Sequence, residues 1–196
     1  MKVRTFVALE LSEPLKEGIL ALGKGLKAAG IRASWVRPSG MHLTLKFLGD
    51  VEEDALSGLI GAVARAAALV PPFRFETTAL GAFPSPRRPR VIWLGVEPVG
   101  ELFDLADALE RELADLGFPR ERRPFRPHIT IGRVRDPLAS GDLSRALAAL
   151  EAPQEAVEVR EVRVMKSTLH PSGAIHEVLE ALPLQGQAAP SKGRQD

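Results

Sequence analysis

One four-residue element occurs twice in this chain and constrains its fold more than any other feature. Residues 42–45 read His-Leu-Thr-Leu, and residues 128–131 read His-Ile-Thr-Ile. Alternation of polar and apolar residues is typical of a β-strand with one buried face. Side chains two residues apart on a strand share a face and lie about 7 Å apart along it. Each element is therefore predicted to be a strand that offers an imidazole and a hydroxyl on one face and buries its apolar residues on the other.

Two such strands in one cleft would surround a phosphate group with two titratable bases, His42 and His128, and two hydroxyl donors, Thr44 and Thr130. Opening a cyclic phosphodiester requires a base that deprotonates water, an acid that protonates the leaving oxygen, and donors for the nonbridging oxygens. Histidine serves both proton roles near neutral pH. These four residues are predicted to be catalytic, with their strands side by side or opposed in one cleft.

Other interpretations of the two histidines remain open. Strand histidines that simply bond to their neighbours would explain either motif alone, but explain the pair less well. A zinc site requires a third protein ligand, and neither motif has the close histidine or carboxylate partner of a known zinc pattern. No metal and no cofactor are therefore predicted. The chain has no cysteine, which excludes thiolate sites and cysteine nucleophiles, and no glycine-serine elbow indicates a serine hydrolase.

The charge pattern is compatible with binding of phosphate groups. The net charge is only +1, yet arginines are clustered in two short stretches. Guanidinium groups match the geometry of phosphate oxygens, although the same clusters could be solvated surface. One cluster comprises Arg87, Arg88 and Arg90, and the other comprises Arg120, Arg122, Arg123, Arg126, Arg133 and Arg135. The histidines outside the motifs, His170 and His176, are expected on a turn and on a strand surface.

The remaining pattern predicts an α+β fold, because strands and helices are mixed without strict alternation. Helices are predicted over residues 13–29, 52–69, 101–116 and 142–150, with Ser12 as the cap of the first. Residues 41–48 are predicted to form a strand with Met41, Leu43, Leu45 and Phe47 on one face, and residues 156–169 one long strand with an irregularity near Arg160. Residues 1–184 are predicted to form a single domain and residues 185–196 a disordered tail. Without a signal peptide or an apolar run that could span a bilayer, the protein is expected to be cytoplasmic, without contact with a membrane.

Longer blocks around the two motifs resemble the two-histidine phosphoesterase superfamily, and within it the RNA 2′,3′-cyclic phosphodiesterases, also called 2′–5′ RNA ligases. The similarity extends from about Val3 to Leu184 and leaves out only the tail. The similar segments are residues 4–9, Trp35, residues 41–49, residues 126–133, residues 167–169 and residues 182–184. The resemblance implies two pseudo-symmetric lobes of mostly antiparallel sheet with helices outside, and a cleft between them to which each lobe gives one histidine.

The resemblance also implies a reaction and a substrate. His42 would protonate the leaving 3′ oxygen and His128 would activate water, so that a 2′-phosphate remains, while Thr44 and Thr130 hold the phosphate. Phe6, Lys46, Arg126 and Arg133 form the expected substrate-binding set, with Arg133 supporting the charge of the phosphate and Phe6 lining the nucleotide side. The protein is expected to be a monomer, and its expected partner is RNA or a nucleotide with a 2′,3′-cyclic phosphate end. Ligation of RNA ends, or binding of RNA without catalysis, are the alternatives. Relatives often carry an aromatic residue near the final hairpin, where this chain has His176.

Overall fold

The computed structural model of this protein describes residues 1–136, 142–170 and 173–187. In chain order, its strands and helices are β1 (Lys2–Leu9), α1 (Glu13–Ala28), β2 (Ser34–Trp35), β3 (Leu43–Glu52), α2 (Leu56–Ala68), β4 (Phe73–Ser85), β5 (Arg88–Val96), α3 (Gly100–Ala114), β6 (His128–Arg133), α4 (Leu143–Ala148), β7 (Ala156–Val159), β8 (Glu161–Thr168) and β9 (Ile175–Pro183). Short 3-10 turns at Pro38–Gly40 and Glu53–Ala55 precede β3 and α2.

Within the described part of the chain, nine strands form one sheet in the order β7-β4-β5-β6-β3-β1-β8-β9, with β2 added to β6. The pairings are antiparallel. The motif strands β3 and β6 are neighbours at the centre, and each belongs to a different half of the sheet. In one half β1 leads through α1 to β3, which pairs back on β1; in the other, β5 leads through α3 to β6, which pairs back on β5. The predicted α+β fold with two pseudo-symmetric lobes is confirmed.

Helix α1 shows how the sequence determines these elements. The Ser12 hydroxyl accepts a hydrogen bond from the Leu15 amide at 3.4 Å, which satisfies one of the amides left free at a helix start. Its apolar stripe, Leu15, Ile19, Leu22 and Leu26, is buried. Gly30, just past the helix, has φ +84°, a conformation that glycine adopts without steric cost. The cap, the stripe and the glycine that ends the helix agree with the sequence prediction.

One hydrophobic core lies between the helices and one face of the sheet, and it contains residues of both halves. Leu43 of β3 and Ile129 of β6 are both 0% exposed in this core. Burial of a side chain of this size stabilises the fold by about 1.5–3 kcal/mol. Because side chains alternate along a strand, the histidines and threonines of the motifs lie on the other face of the sheet.

None of the described helices combines the length and the apolar composition needed to cross a membrane.

Two predictions on the C-terminal part require correction. The predicted single strand over 156–169 is two strands, which separate at Arg160: β7 pairs with β4 at one edge of the sheet, whereas β8 pairs with β1 in the other half. The predicted disordered tail does not begin at 185. The amides of Gln185 and Gly186 donate hydrogen bonds to the carbonyls of Ala67 and Val70 at the end of α2. The rest of that tail, 188–196, lies outside the described residues.

Candidate active site

The two histidine motifs lie side by side across the boundary between the halves. Strands β3 and β6 pair antiparallel with Leu43 opposite Ile129. This register places His42 across from Thr130 and Thr44 across from His128. His42 and His128 are thus diagonal neighbours, with a usual backbone spacing of about 7–8 Å for such a pair. The prediction that the motif strands meet is confirmed, and we call the surface between these four side chains the candidate active-site cleft.

A bulge occurs at the same point in both motif strands. Thr44 is opposite Ala8 and Lys46 is opposite Val7, so Leu45 is the extra residue in β3. Ile131 is the extra residue in β6, because Thr130 is opposite Trp93 and Gly132 is opposite Ile92. A bulge puts two consecutive residues on one face and reverses the alternation beyond them. The residue five positions after each histidine, Phe47 in β3 and Arg133 in β6, is therefore turned onto the face of the cleft.

The reversal corrects the prediction for Lys46. Simple alternation would place it beside Thr44 in the cleft, but the bulge turns it to the helix side of the sheet. There its ammonium group donates hydrogen bonds to Glu110 of α3 at 2.7 Å and to the Pro119 carbonyl at 3.0 Å. Lys46 is 7% exposed. It connects the sheet to α3 and does not reach a substrate in the cleft. The prediction that Phe47 shares a face with Met41, Leu43 and Leu45 is also wrong, because the same bulge turns Phe47 to the opposite face.

A backbone carbonyl just before β6 holds the His128 ring in one orientation. Its Nδ1 lies 2.7 Å from the Arg126 carbonyl oxygen. Since a carbonyl oxygen can only accept, the Nδ1–H donates, and the neutral ring carries its lone pair on Nε2. Phe83 of β4 stands edge-on against the ring, at 5.1 Å between centroids and 89° between planes. The arrangement leaves Nε2 as the proton acceptor of this residue.

His42 lies in a different environment, enclosed by other rings. Its centroid is 4.7 Å from that of Phe6 and 5.2 Å from that of His176, which stands edge-on at 86°. Burial, together with the nearby His176 and Arg133, lowers the pKa of His42 to about 4, against a hydrogen bond to the Gly40 backbone that raises it. At neutral pH the unliganded His42 is therefore neutral.

The other predicted substrate-binding residues differ in how far they are exposed to solvent. Phe6 is 1% exposed, behind the His42 ring, so its predicted contact with the nucleotide is corrected to a packing contact with the histidine. The aromatic side chain that is open to solvent is Phe47, 64% exposed, which packs on Phe6 at 5.8 Å. Arg126 and Arg133 are exposed near the two ends of β6, and Arg133 is close enough to affect His42.

His176 is the residue that the sequence prediction missed. It was expected on a strand surface, but it contacts both His42 and Phe6, the latter at 5.0 Å. Burial lowers its pKa. His170, in contrast, is exposed, as predicted. No spacing in the sequence links position 176 to position 42. The only available signal was the resemblance, which put His176 where relatives often have an aromatic ring.

Among residues 1–136, 142–170 and 173–187, no group of three or more histidines and carboxylates is arranged to hold a metal ion. What the cleft provides is a set of two imidazoles, two hydroxyls and one guanidinium group. Such a set can accept a proton, donate a proton and bind an anion, which are the requirements of phosphoester chemistry.

Comparison with known proteins agrees with the duplication seen in the sheet. The sequence profile of the family described as "LigT like Phosphoesterase" matches twice in succession, at residues 9–93 and 94–176. The chain belongs to this family. Each match contains one of the two histidine motifs. The chain is thus a LigT-like phosphoesterase, an enzyme of the two-histidine superfamily, as the sequence predicted.

Individual LigT-like relatives cover nearly the whole chain. The RNA 2′,3′-cyclic phosphodiesterase of Methanothermobacter thermautotrophicus is 36% identical over 185 residues, which cover 94% of this chain and 100% of that protein. The protein of the same name from Thermotoga maritima is 35% identical over 184 residues, covering 94% and 97%. The crystal structure of a Thermus thermophilus protein superposes with a TM-score of 0.78 at 28% identity, covering 94% and 100%. That of E. coli LigT complexed with 3′-AMP gives 0.74 at 26% identity, covering 94% and 99%.

Proposed function

We propose that this LigT-like enzyme hydrolyses 2′,3′-cyclic phosphate ends of RNA to 2′-phosphomonoesters without a metal, with His42 as general acid and His128 as general base. The observation that carries the proposal is the antiparallel pairing of the two motif strands at Leu43 and Ile129, a register that puts His42 across from Thr130 and Thr44 across from His128. Relatives that bear the name RNA 2′,3′-cyclic phosphodiesterase over nearly their full length support the choice of substrate.

The anchoring of the His128 ring suits this residue to act as the general base. Because its Nδ1–H is bonded to the Arg126 carbonyl, Nε2 is free to take a proton from water, as general base catalysis requires. The hydrogen bond also orients the ring and stabilises the imidazolium that forms. The proton leaves water as the new P–O bond forms. It is held on His128 until the product departs.

The acid role of His42 requires it to gain a proton when substrate binds. Its pKa of about 4 leaves it neutral in the free protein. A bound phosphate anion beside the ring favours the charged form and raises this pKa, because opposite charges attract. The protonated His42 can then give its proton to the 3′ oxygen as the P–O3′ bond breaks. The substrate itself thus supplies the charge that makes His42 an acid.

Thr44 and Thr130 have hydroxyls that can donate to the nonbridging oxygens, and Arg133 provides a permanent positive charge. Donors placed where charge develops stabilise the transition state more than the ground state. With each threonine opposite a histidine, a phosphate between the two rings is within reach of both hydroxyls. Loss of one hydroxyl should therefore cost less activity than loss of a histidine.

The arginine clusters support RNA rather than a free nucleotide as the substrate. The arginines of the stretch 120–135, Arg120, Arg122, Arg123, Arg126, Arg133 and Arg135, are all exposed. In the described part of the chain, none of them forms an ion pair with a carboxylate. Of these, Arg126 precedes His128 by two residues and Arg133 ends β6, so their unpaired guanidinium groups are available for the backbone phosphates of a longer strand.

The decisive experiment is incubation of the purified protein with 2′,3′-cyclic nucleotides and with oligonucleotides that end in a cyclic phosphate. Products are identified by phosphorus NMR and mass spectrometry, with and without excess EDTA. We expect 2′-phosphomonoesters at undiminished rate in EDTA. The His170→Ala variant serves as the matched histidine control and should retain full activity. A 3′-phosphate product would refute the assigned directions of attack and departure, and activity restored only by added zinc or manganese would refute the metal-free mechanism.

A further inference from the structure

An aromatic surface lies next to His128, on the side of the cleft away from His42. Phe83 contacts the His128 ring edge-on at 5.1 Å and lies against Trp93 at 5.2 Å with an interplanar angle of 35°. Trp93 is directly opposite Thr130 in the pairing of β5 with β6. Both rings are only partly buried. We call Phe83 and Trp93 the aromatic wall.

Two glycines allow the Trp93 ring to lie against the sheet. Gly81 is opposite Trp93 in the pairing of β4 with β5, and a Cβ at Gly81 would be 2.2 Å from the indole. A Cβ at Gly95 would be 3.3 Å from the same ring and 2.5 Å from the Thr78 hydroxyl. One face of the indole is therefore covered by backbone, while the ring as a whole is only partly buried.

The indole N–H does not explain why a tryptophan is found here. Trp93 Nε1 is buried, and no hydrogen-bond partner for it exists among the described residues. Buried N–H groups are normally paired, so hydrogen bonding does not hold this ring in place; the glycines and Phe83 do. The aromatic wall offers a ligand the flat surfaces of its rings, on which any nucleobase can stack.

The proposed reaction determines which nucleoside could reach this wall. In an in-line displacement the leaving 3′ oxygen is at His42 and the attacking oxygen is at His128. The ribose of the cyclic phosphate is attached through the leaving oxygen and so lies on the His42 side. Water that enters as the nucleophile on the opposite side would not need a surface for stacking.

We propose that the aromatic wall binds the base of a second nucleoside, on the side of the phosphate where the nucleophile enters. The inference rests on the proposed function for its assignment of sides. A nucleoside stacked there can present its 5′-hydroxyl to His128 in place of water. The hydroxyl would lose its proton to His128, the P–O5′ bond would form, the P–O3′ bond would break, and His42 would protonate O3′. No further reactant is needed.

The two tryptophans of the chain allow a direct test. Trp35 lies on the helix side of the sheet, where it packs on Gly23 and Gly132, so Trp35→Phe leaves Trp93 as the only tryptophan. The probe is adenylyl-adenosine with a free 5′-hydroxyl, added while saturating 2′-AMP occupies the phosphate site. We expect a saturable change of Trp93 fluorescence in Trp35→Phe. In the matched variant Trp93→Phe, which retains Trp35, we expect none.

Calorimetry provides the second measurement and does not depend on fluorescence. Loss of one stacking partner should weaken adenylyl-adenosine binding about tenfold or more in Trp93→Ala, in protein whose thermal melting shows that it is folded. An equal fluorescence response in both Trp variants, no response in Trp35→Phe, or displacement of the probe by 2′-AMP would each overturn the proposal. Failure of the proposed function would be seen separately, as absence of hydrolysis of 2′,3′-cyclic AMP by the native enzyme.

Discussion

The charge state of His42 is the most informative quantity to perturb, and Arg133→Gln is the variant that perturbs it. The pKa of His42 in the free protein is about 4, with burial as the first cause and the charge of Arg133 among the others. At pH 7, a group with this pKa is protonated in roughly one molecule in a thousand. Glutamine removes the permanent positive charge while it keeps much of the size of the side chain.

The expected shift is small and positive. Two like charges about 7 Å apart, the spacing of side chains on adjacent strands, repel by ~0.6 kcal/mol in a water-like dielectric. This corresponds to ~0.4 of a pKa unit. Since Arg133 is exposed, the water-like value is the appropriate one. Arg133→Gln should therefore raise the pKa of His42 by about half a unit and leave it below the ordinary value, because the burial remains.

The assay is an NMR titration of the imidazole C–H signals from neutral pH downward, with His42→Gln used to assign the His42 signal. Arg135→Gln is the matched control, because Arg135 is an exposed arginine two residues further on and is not among the groups that shift the pKa of His42. A midpoint near 6.5 for His42 in the native protein would refute the reasoning from burial. An equal shift in both arginine variants would refute the specific influence of Arg133.

The same titration predicts proton uptake when an anion binds. If phosphate raises the pKa of His42 across the working pH, binding of 2′-AMP near pH 6 should take up a proton, and calorimetry in buffers of different ionisation enthalpy would measure it. The His42→Gln variant should lose that uptake. Uptake of equal size in this variant would assign the proton to another group and remove the basis for His42 as the acid.

Three further predictions test other parts of the site. Replacement of either His42 or His128 with alanine should lower kcat about a hundredfold or more, the usual scale for a positioned acid or base; near-native turnover would contradict the mechanism. Lys46→Met should lower the free energy of unfolding by about 2 kcal/mol, because the partly buried Glu110 carboxylate loses its ion pair with Lys46, while KM stays within about twofold; a large rise in KM would return Lys46 to the substrate site. Cyclic-ended RNA should bind more tightly than a cyclic mononucleotide at low salt, and this advantage should shrink as salt is added; equal affinities would make the arginine clusters ordinary solvated surface.

The sequence allowed prediction of those features that depend on local pattern. Residues close together in the chain determine the strand character of the two motifs, the cap at Ser12 and the apolar stripe of α1. The meeting of β3 and β6 was also predicted, because two strands with the same pair of polar side chains are most useful in one cleft. That prediction required a functional argument in addition to periodicity.

The bulges could not be predicted, and they account for the error at Lys46. A bulge changes the face of a residue without changing its identity, and the alternation of polar and apolar residues continues unbroken through 43–47 in the sequence. The partner that stabilises Lys46 on the helix side, Glu110, is 64 residues away. The split at Arg160 is similar, because only the two distant partner strands, β4 and β1, show that the strand is not continuous.

The position of His176 depends on an equally distant contact. β9 lies at the edge of the sheet, and its own alternation makes residue 176 one polar position among several. Its side chain is half-buried because Phe6 and His42 lie against it. The sequence contains no repeated motif that includes this residue. Its role emerges only when β8 pairs both with β1 and with β9.

The two halves of the fold repeat the same bulge but surround their histidines with different residues. Both place the fifth residue after the histidine in the cleft, but one half supplies Phe47 and the other Arg133. In the first half, rings enclose His42 and favour its neutral form until an anion arrives. In the second, the Arg126 carbonyl fixes the tautomer of His128 with its lone pair available. Neighbouring titratable groups whose environments differ in this way can take opposite proton roles. In the proposed mechanism, a duplicated strand motif yields an acid and a base because each copy is surrounded by different residues.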